Sequence, residues 1–258
     1  MQTINDTIQT SLFRHLRVSV VISEMVNHKV NQFKNKFTAI TGQIKEKFDQ
    51  VDQVFSLQNS GSLVAKFQRG DKQPLLKSAD FQTVYSLANI SKNKTNGYFD
   101  PFDGGRYTPS DLIKSWAVDQ VFNQYLRPLV ELPVAGIMLE ADGVIQTAVA
   151  TSSAFHWPVL VHDSFKGEGL LEKYQLTGGG IVTVNAKTSK RPQSPIKQLT
   201  IISERVSEAT IWAIAGLNAG TAKFLRLINQ KHLSGILIDR ALGVIEFESG
   251  KLAQKQVF

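Results

Sequence analysis

The sequence predicts an α+β fold, a mixed or antiparallel sheet with flanking helices. Three observations carry this. A long helical apolar period fills an early stretch of the chain, β-branched runs dominate the second half, and helices and strands alternate without the strict rhythm of a doubly wound sheet. The 258 residues contain no internal repeat and no low-complexity linker. The chain therefore reads as one domain over 1–258, with 1–12 and 252–258 as loose ends.

Residues 17–23 (RVSVVIS) are β-branched and read as the first strand. Phe33, Phe37, Ile40, Ile44, Phe48, Val51 and Phe55 then recur at steps of three or four. They form one apolar face of a long helix, with Lys and Gln opposite. Residues 59–61 break the pattern, 62–67 form a short apolar segment, and 70–74 form a turn. Ser78 or Asp80 caps a helix whose buried side carries Phe81, Val84, Tyr85, Ala88 and Ile90. The Gly/Asn/Asp-rich stretch 93–106 is a loop. Thr108-Pro109-Ser110-Asp111 opens a further helix, with Thr108 as N-cap and Pro109 at the first helical position. Ile113, Trp116, Ala117, Val121 and Phe122 give that helix its buried side. Strands follow at 135–139, 159–162, 171–176, 181–184 and 199–203, helices at 208–217 and 221–229, and a terminal strand pair at 236–238 and 244–247.

Hydrophobic residues make up 42% and charged residues 20% of the chain, which is ordinary globular usage and argues against interior disorder. No apolar run reaches the roughly 18 residues that span a bilayer, and the polar start has no secretory apolar region. A cytoplasmic protein with no membrane span is expected. There is no cysteine, which excludes disulfides, thiolate catalysis and thiolate-bound zinc. A net charge of +7 favours anionic partners. The Lys and Arg residues are scattered without interleaved aromatics, however, so the charge reads as a solvated surface and no nucleic-acid partner is expected.

Gly178-Gly179-Gly180 lacks the spacing of a nucleotide-binding loop and reads as a tight hairpin turn. The five histidines show no metal-ligand spacing. His156-Trp157 reads as a packed strand edge. Glu140 and Asp142 lie two apart at a strand end, where carboxylates act as turn formers, Mg²⁺ ligands or bases. Lys114 sits early in its helix, near backbone N–H groups that attract phosphate. It is otherwise a solvated lysine.

The order of several segments carries more than any one of them. Residues 51–70 (VDQVFSLQNSGSLVAKFQRG) resemble a helix end followed by an "FS-x-Y-x-x-x-S" stretch. Residues 96–101 (NGYFDP) resemble "DGxFDP". Residues 107–119 (YTPSDLIKSWAVD) match "DPSGLVKGWAVD", the strongest single correspondence. Residues 137–142 (IMLEAD) stand at a strand ending in "GGD", 155–161 at a strand entered by "pW", and 171–184 at a strand, turn and strand. Residues 199–217 (LTIISERVSEATIWAIAGL) match "vTVva…ADALATAL…G". With its terminal strand pair, the chain resembles the ApbE family of FAD:protein FMN transferases from about residue 13 to residue 250.

The resemblance implies Mg²⁺-dependent transfer of FMN from FAD to a Ser or Thr hydroxyl of a target flavoprotein, with release of AMP. Such displacement at a pyrophosphate needs cations on the phosphate oxygens and an aligned acceptor. Carried over position by position, it places Lys114, Thr108, Gln58, His15 and Asp142 at flavin-contacting positions. Asp111, Glu208, Ile211 and Trp212 fall at metal positions. Thr108 stands for an Asp, Gln58 for a Tyr and His15 for a Met, and Glu140 and Ala141 replace two glycines. Glu208 stands for an Asp, and Trp212, replacing a Thr, cannot ligate a metal. No histidine stands between 185 and 196, where the family has "HIIDP". The alternative implied by these replacements is a relative that binds flavin, a nucleotide or a partner protein without transfer.

Overall fold

The computed structural model describes residues 1–23, 27–131, 133–165, 169–189 and 192–254. Its elements run β1 (Gln2–Thr7), β2 (Leu16–Ile22), α1 (Asn27–Phe55), α2 (Leu63–Gln68), α3 (Gln73–Lys77), α4 (Ala79–Lys94), β3 (Phe102–Asp103), β4 (Arg106–Tyr107) and α5 (Ser110–Val121). Helix α5 runs on through a π-turn (Phe122–Leu126) and a 3-10 turn (Arg127–Leu129). Then come β5 (Val134–Ala141), β6 (Val144–Val149), β7 (Trp157–His162), β8 (Leu170–Leu176), β9 (Gly178–Asn185), β10 (Ile196–Ser203), α6 (Val206–Ala219), α7 (Thr221–Lys231), β11 (Ser234–Asp239), β12 (Gly243–Glu248) and β13 (Lys251–Gln254).

Nine strands form one antiparallel sheet in the order β1-β2-β5-β6-β9-β10-β11-β12-β13, and β3-β4 and β7-β8 pair separately. Successive side chains of a strand point to opposite faces, and both faces are covered here. Val18, Val20, Ile137, Leu139, Val182 and Leu237 pack into the core beneath the helices. Their neighbours Val21, Ile181 and Ile236 pack under the β7-β8 hairpin with Trp157, Val159 and Val161. Burial on both faces explains why these strands read as continuous apolar runs. Among the described residues, no helix is long and apolar enough to cross a membrane.

Several expectations are corrected. The N-terminal stretch expected to be loose forms edge strand β1, paired with β2 from Thr7↔Arg17 to Gln2↔Ile22. Its polar sequence QTINDT is stabilised by backbone pairing and by the Thr41 hydroxyl, which donates to Asp6 at 2.6 Å. Of the expected C-terminal loose end, 252–254 belong to β13, and 255–258 lie outside the described residues. The segment 62–67 is helix α2, capped by Ser62, whose hydroxyl accepts from the Ala65 N–H at 3.0 Å. Ser78 caps α4 in the same way through the Phe81 N–H. Ile90 of α4 faces solvent. Helix α5 starts one residue later than expected, at Ser110. Thr108 does not cap it, because its N–H and hydroxyl turn back to the Pro101 carbonyl.

The glycine run at 178–180 is not a turn but the start of β9. A Cβ on Gly180 would lie 2.4 Å from Val206 Cγ1 and 2.7 Å from Gln146 Oε1, so the bare backbone lets α6 seat on the sheet. The hairpin turn lies at Asp142-Gly143, between β5 and the unpredicted β6. Both residues have positive φ, 45° and 86°, as a two-residue type I′ turn requires.

Candidate functional site

The site is assembled from three chain segments at one end of the sheet. The loop entering β2 carries Phe13, Arg14 and His15. The β5-β6 turn carries Asp142, and the first turns of α5 carry Ser110, Asp111 and Lys114. Asp142 ties the first two together. Its carboxylate accepts from the Arg14 and His15 N–H groups at 3.1 and 3.0 Å, and its own N–H donates to the His15 carbonyl at 3.2 Å. The Lys114 ammonium stands 4.0 Å from Asp142 and lies over the Phe13 ring.

The α5 start is the hub of three cavities. The largest, about 700 Å³, is lined by His15, Asp142, Lys114 and Asp111, with β9 residues and Thr210 and Ile214 of α6. A second, about 490 Å³, shares Asp111 and Ile214 with it and reaches Thr108 and the 99–102 loop. A third, about 360 Å³, shares Lys114 and reaches Gln58. All five residues expected at flavin-contacting positions, together with Asp111, thus line three adjoining cavities that meet at the start of α5 and together form the cleft. Its size suits a nucleotide-sized ligand.

The α6 positions do not join them. Glu208 and Trp212, one turn apart, project toward α4. There the Lys94 ammonium bonds Glu208 at 2.5 Å and lies over the Trp212 ring. The Ser203 hydroxyl also donates to Glu208. Burial pushes the Glu208 carboxyl up, but Lys94, Ser203 and Trp212 outweigh it and hold the group below its ordinary value. Ile211 is buried in the core. Two residues along a helix turn about 200° around its axis, so Thr210, between Glu208 and Trp212, faces the cleft instead. Thr210 is 5% exposed, and its hydroxyl has no hydrogen-bond partner among the described residues.

Helix α6 is held in this orientation by Asp119, at the end of the 107–119 segment. Arg205 gives α6 no side-chain cap. The buried Asp119 carboxylate supplies one from α5, accepting from the Val206 and Ser207 N–H groups at 3.0 and 3.1 Å. Sequence reading did not single out Asp119 or Thr210. The signal for Asp119 is a lone acid ending an otherwise apolar helix face.

Among the described residues, no group of three or more His, Asp or Glu side chains could hold a metal ion. Mg²⁺ demands hard oxygen ligands in tight octahedral geometry. The sites expected to supply them present Asp111 alone to the cleft, while Glu208 is engaged by an ammonium and Trp212 offers none. The residues present do not fit a protein-held Mg²⁺ at those positions.

No family model matches this chain, and no curated protein matches it by sequence. Solved structures do. The flavin transferase ApbE from Vibrio cholerae superposes with a TM-score of 0.70 at 13% identity, covering 96% of this chain and 97% of that one. The ApbE protein from Thermotoga maritima gives 0.71 at 15%, covering 96% and 97%. The flavinyl transferase ApbE from Pseudomonas stutzeri, in its apo form, gives 0.71 at 14%, covering 95% of each chain. The likeness is one of fold, over nearly the whole length.

Proposed function

We propose that the cleft binds a flavin nucleotide, FAD in the first place, and holds it without the divalent cation that the ApbE resemblance implies. The observation that carries this is the convergence of Lys114, Asp142, His15, Thr108 and Gln58 on one cleft at the start of α5. Lys114 and Arg14 bring positive charge to it, and the α5 N-terminus, without a side-chain cap, offers N–H donors to an anionic group. The metal half of the resemblance is weaker. Metal ligands must face the cavity that holds Lys114 and Asp142, and the α6 residues lining it are Thr210 and Ile214. Placing the family's ADALATA at 209–215 instead of 207–213 matches Ala209, Ala213 and Ala215. It puts the family's acidic and hydroxyl metal positions on Thr210 and Ile214, neither of which is a carboxylate.

A second reading is FMN transfer from FAD to a Ser or Thr hydroxyl of a target flavoprotein. The Asp111 carboxylate favours it, being an acidic group at the cleft with no side-chain partner among the described residues. The test is a titration of FAD into the purified protein, followed by flavin fluorescence, with Mg²⁺ and again with chelator. Binding unchanged by chelation is expected. Binding that weakens tenfold or more on chelation favours the transferase reading, and a search for flavin-bearing targets then follows. No binding in either condition sinks both.

A further inference from the structure

The nine-stranded sheet ends on two edge strands, β1 and β13. An edge strand offers unpaired backbone groups to any extended chain, and proteins commonly blunt it with Lys, Pro or a bulge. β13 carries Lys251. β1, with the sequence QTINDT, has none of these devices, and its pairing with β2 runs from Gln2 to Thr7 without a register shift. The free groups of β1 can be assigned. Neighbouring residues of an antiparallel strand turn their N–H and C=O groups to opposite sides. The Ile8 N–H bonds the Leu16 carbonyl, whereas the His15 carbonyl and the Ser23 N–H bond Asp142 and Pro133 on the β5 side. Even-numbered residues of β1 and β2 therefore bond each other. Thr3, Asn5 and Thr7 point their backbone groups away from β2, which is the one strand that β1 pairs with among the described residues. On the helix face, Ile4 and Asp6 stand opposite the buried Val20 and Val18. A groove of about 410 Å³ lies beside them, between β1 and Lys34, Phe37 and Thr38 of α1. Phe37 is buried and gives the groove an apolar floor.

We infer that β1 pairs with β1 of a second copy of this chain, antiparallel about a two-fold axis at Ile4, so that the sheet continues from one copy into the other. The strand is complementary to itself in this register. Thr3 faces Asn5 of the second copy, and the two exchange their outward backbone bonds. Ile4 faces Ile4 beside the apolar groove, and Gln2 faces Asp6. Apolar meets apolar, an amide meets the one carboxylate of the strand, and no like charges are opposed. A register centred on Asn5 would instead set Ile4 against Asp6. The two-fold contact also closes on itself, whereas β1 against β13 would propagate from copy to copy. The contact is short, which places the dimer in the weak, reversible class.

The test is sedimentation velocity of the full chain from about 1 to about 300 µM, the range suited to a small non-obligate interface. A reversible shift from monomer to dimer is expected. Residue-resolved amide exchange at the two ends of that range should show Thr3 and Asn5 slowed at high concentration, and Ile4, already bonded to β2, unchanged. Asn5→Pro removes an outward N–H and leaves the β1–β2 bonds whole. It should weaken the dimer about 10- to 100-fold, the worth of two hydrogen bonds, one per copy. Gln2→Asp, at an exposed position, sets like charges against Asp6 of the second copy twice over and should weaken the dimer about 3- to 10-fold, whereas Gln2→Lys should tighten it by a similar factor. A chain that stays monomeric throughout overturns the inference. So does a dimer that Gln2→Asp and Gln2→Lys leave unchanged or shift in the same direction, or one in which Thr3 and Asn5 exchange as fast as in dilute solution, because that dimer is built on another surface.

Discussion

Asp119 and Glu208 are carboxylates that serve the same helix, and their surroundings push them in opposite directions. Burial raises the Asp119 carboxyl. The Ser207 hydroxyl and N–H, the Val206 N–H and the Arg205 charge offset this only in part. A folded value above the unfolded one means that stability is greatest below the unfolded value and falls as pH rises through the folded one. Asp119→Asn should remove that fall, seen as a urea midpoint less dependent on pH across the acidic range. Asp119→Ala strips α6 of its cap and should cost about 2 kcal/mol at neutral pH. Glu208 is held low, so its contribution is present above the unfolded value and is lost as pH falls through the folded one. The Lys94–Glu208 pair is largely solvated, with side-chain exposures of 47% and 41%, so screening discounts it. Glu208→Gln should lower stability by about 0.5 kcal/mol at neutral pH. Urea unfolding at pH 7 and pH 3 should show the difference closing in acid. A larger neutral-pH loss accompanied by lost Mg²⁺ binding would instead return Glu208 to a metal role.

At the scale of elements, the packing of α6 on β9 is the junction that shapes the cleft. Gly180→Ala drives a methyl group into Val206 and Gln146 and should cost about 1–3 kcal/mol as an overpacked contact. An unchanged urea midpoint would mean that Val206 has room to turn away. This junction also shows why some elements were legible in the sequence and others were not. Helix α1 was plain because Phe33 to Phe55 repeat one period over many turns. The glycine run was misread because glycine marks both turns and close packing, and only the neighbouring helix distinguishes them. The true turn, Asp142-Gly143, carries the strongest short hairpin signal there is. The same strand-end carboxylate is equally expected as a turn former, a Mg²⁺ ligand or a base, and without a strand pattern after it the turn does not stand out. Strand β1 has no apolar period, and its pairing comes from β2. The α6 face was out of reach for a different reason. Glu208 and Thr210 are two residues apart in sequence but on opposite sides of the helix, and which side meets the cleft is fixed by Asp119 and Lys94 from other elements.

For the whole molecule, the cleft joins segments far apart in the chain: the loop before β2, the first turns of α5, the β5-β6 turn, β9 and α6. The order of segments along the sequence, through the resemblance it carries, groups Lys114, Asp142 and His15, and these three line one cavity. A ligand bridging them binds the native state and not the unfolded chain, so its binding must appear as global stability. At about 100 times its dissociation constant, FAD should add about 2.7 kcal/mol. In a chain of this size that corresponds to roughly 5–10 °C in the unfolding midpoint. Scanning calorimetry with FAD should show that rise, growing with FAD concentration and identical with Mg²⁺ or chelator. A rise confined to Mg²⁺ would show that a cation completes the site. No rise at concentrations where fluorescence reports binding would mean that the unfolded chain holds flavin as well as the folded one, and so that the binding is not made by this cleft.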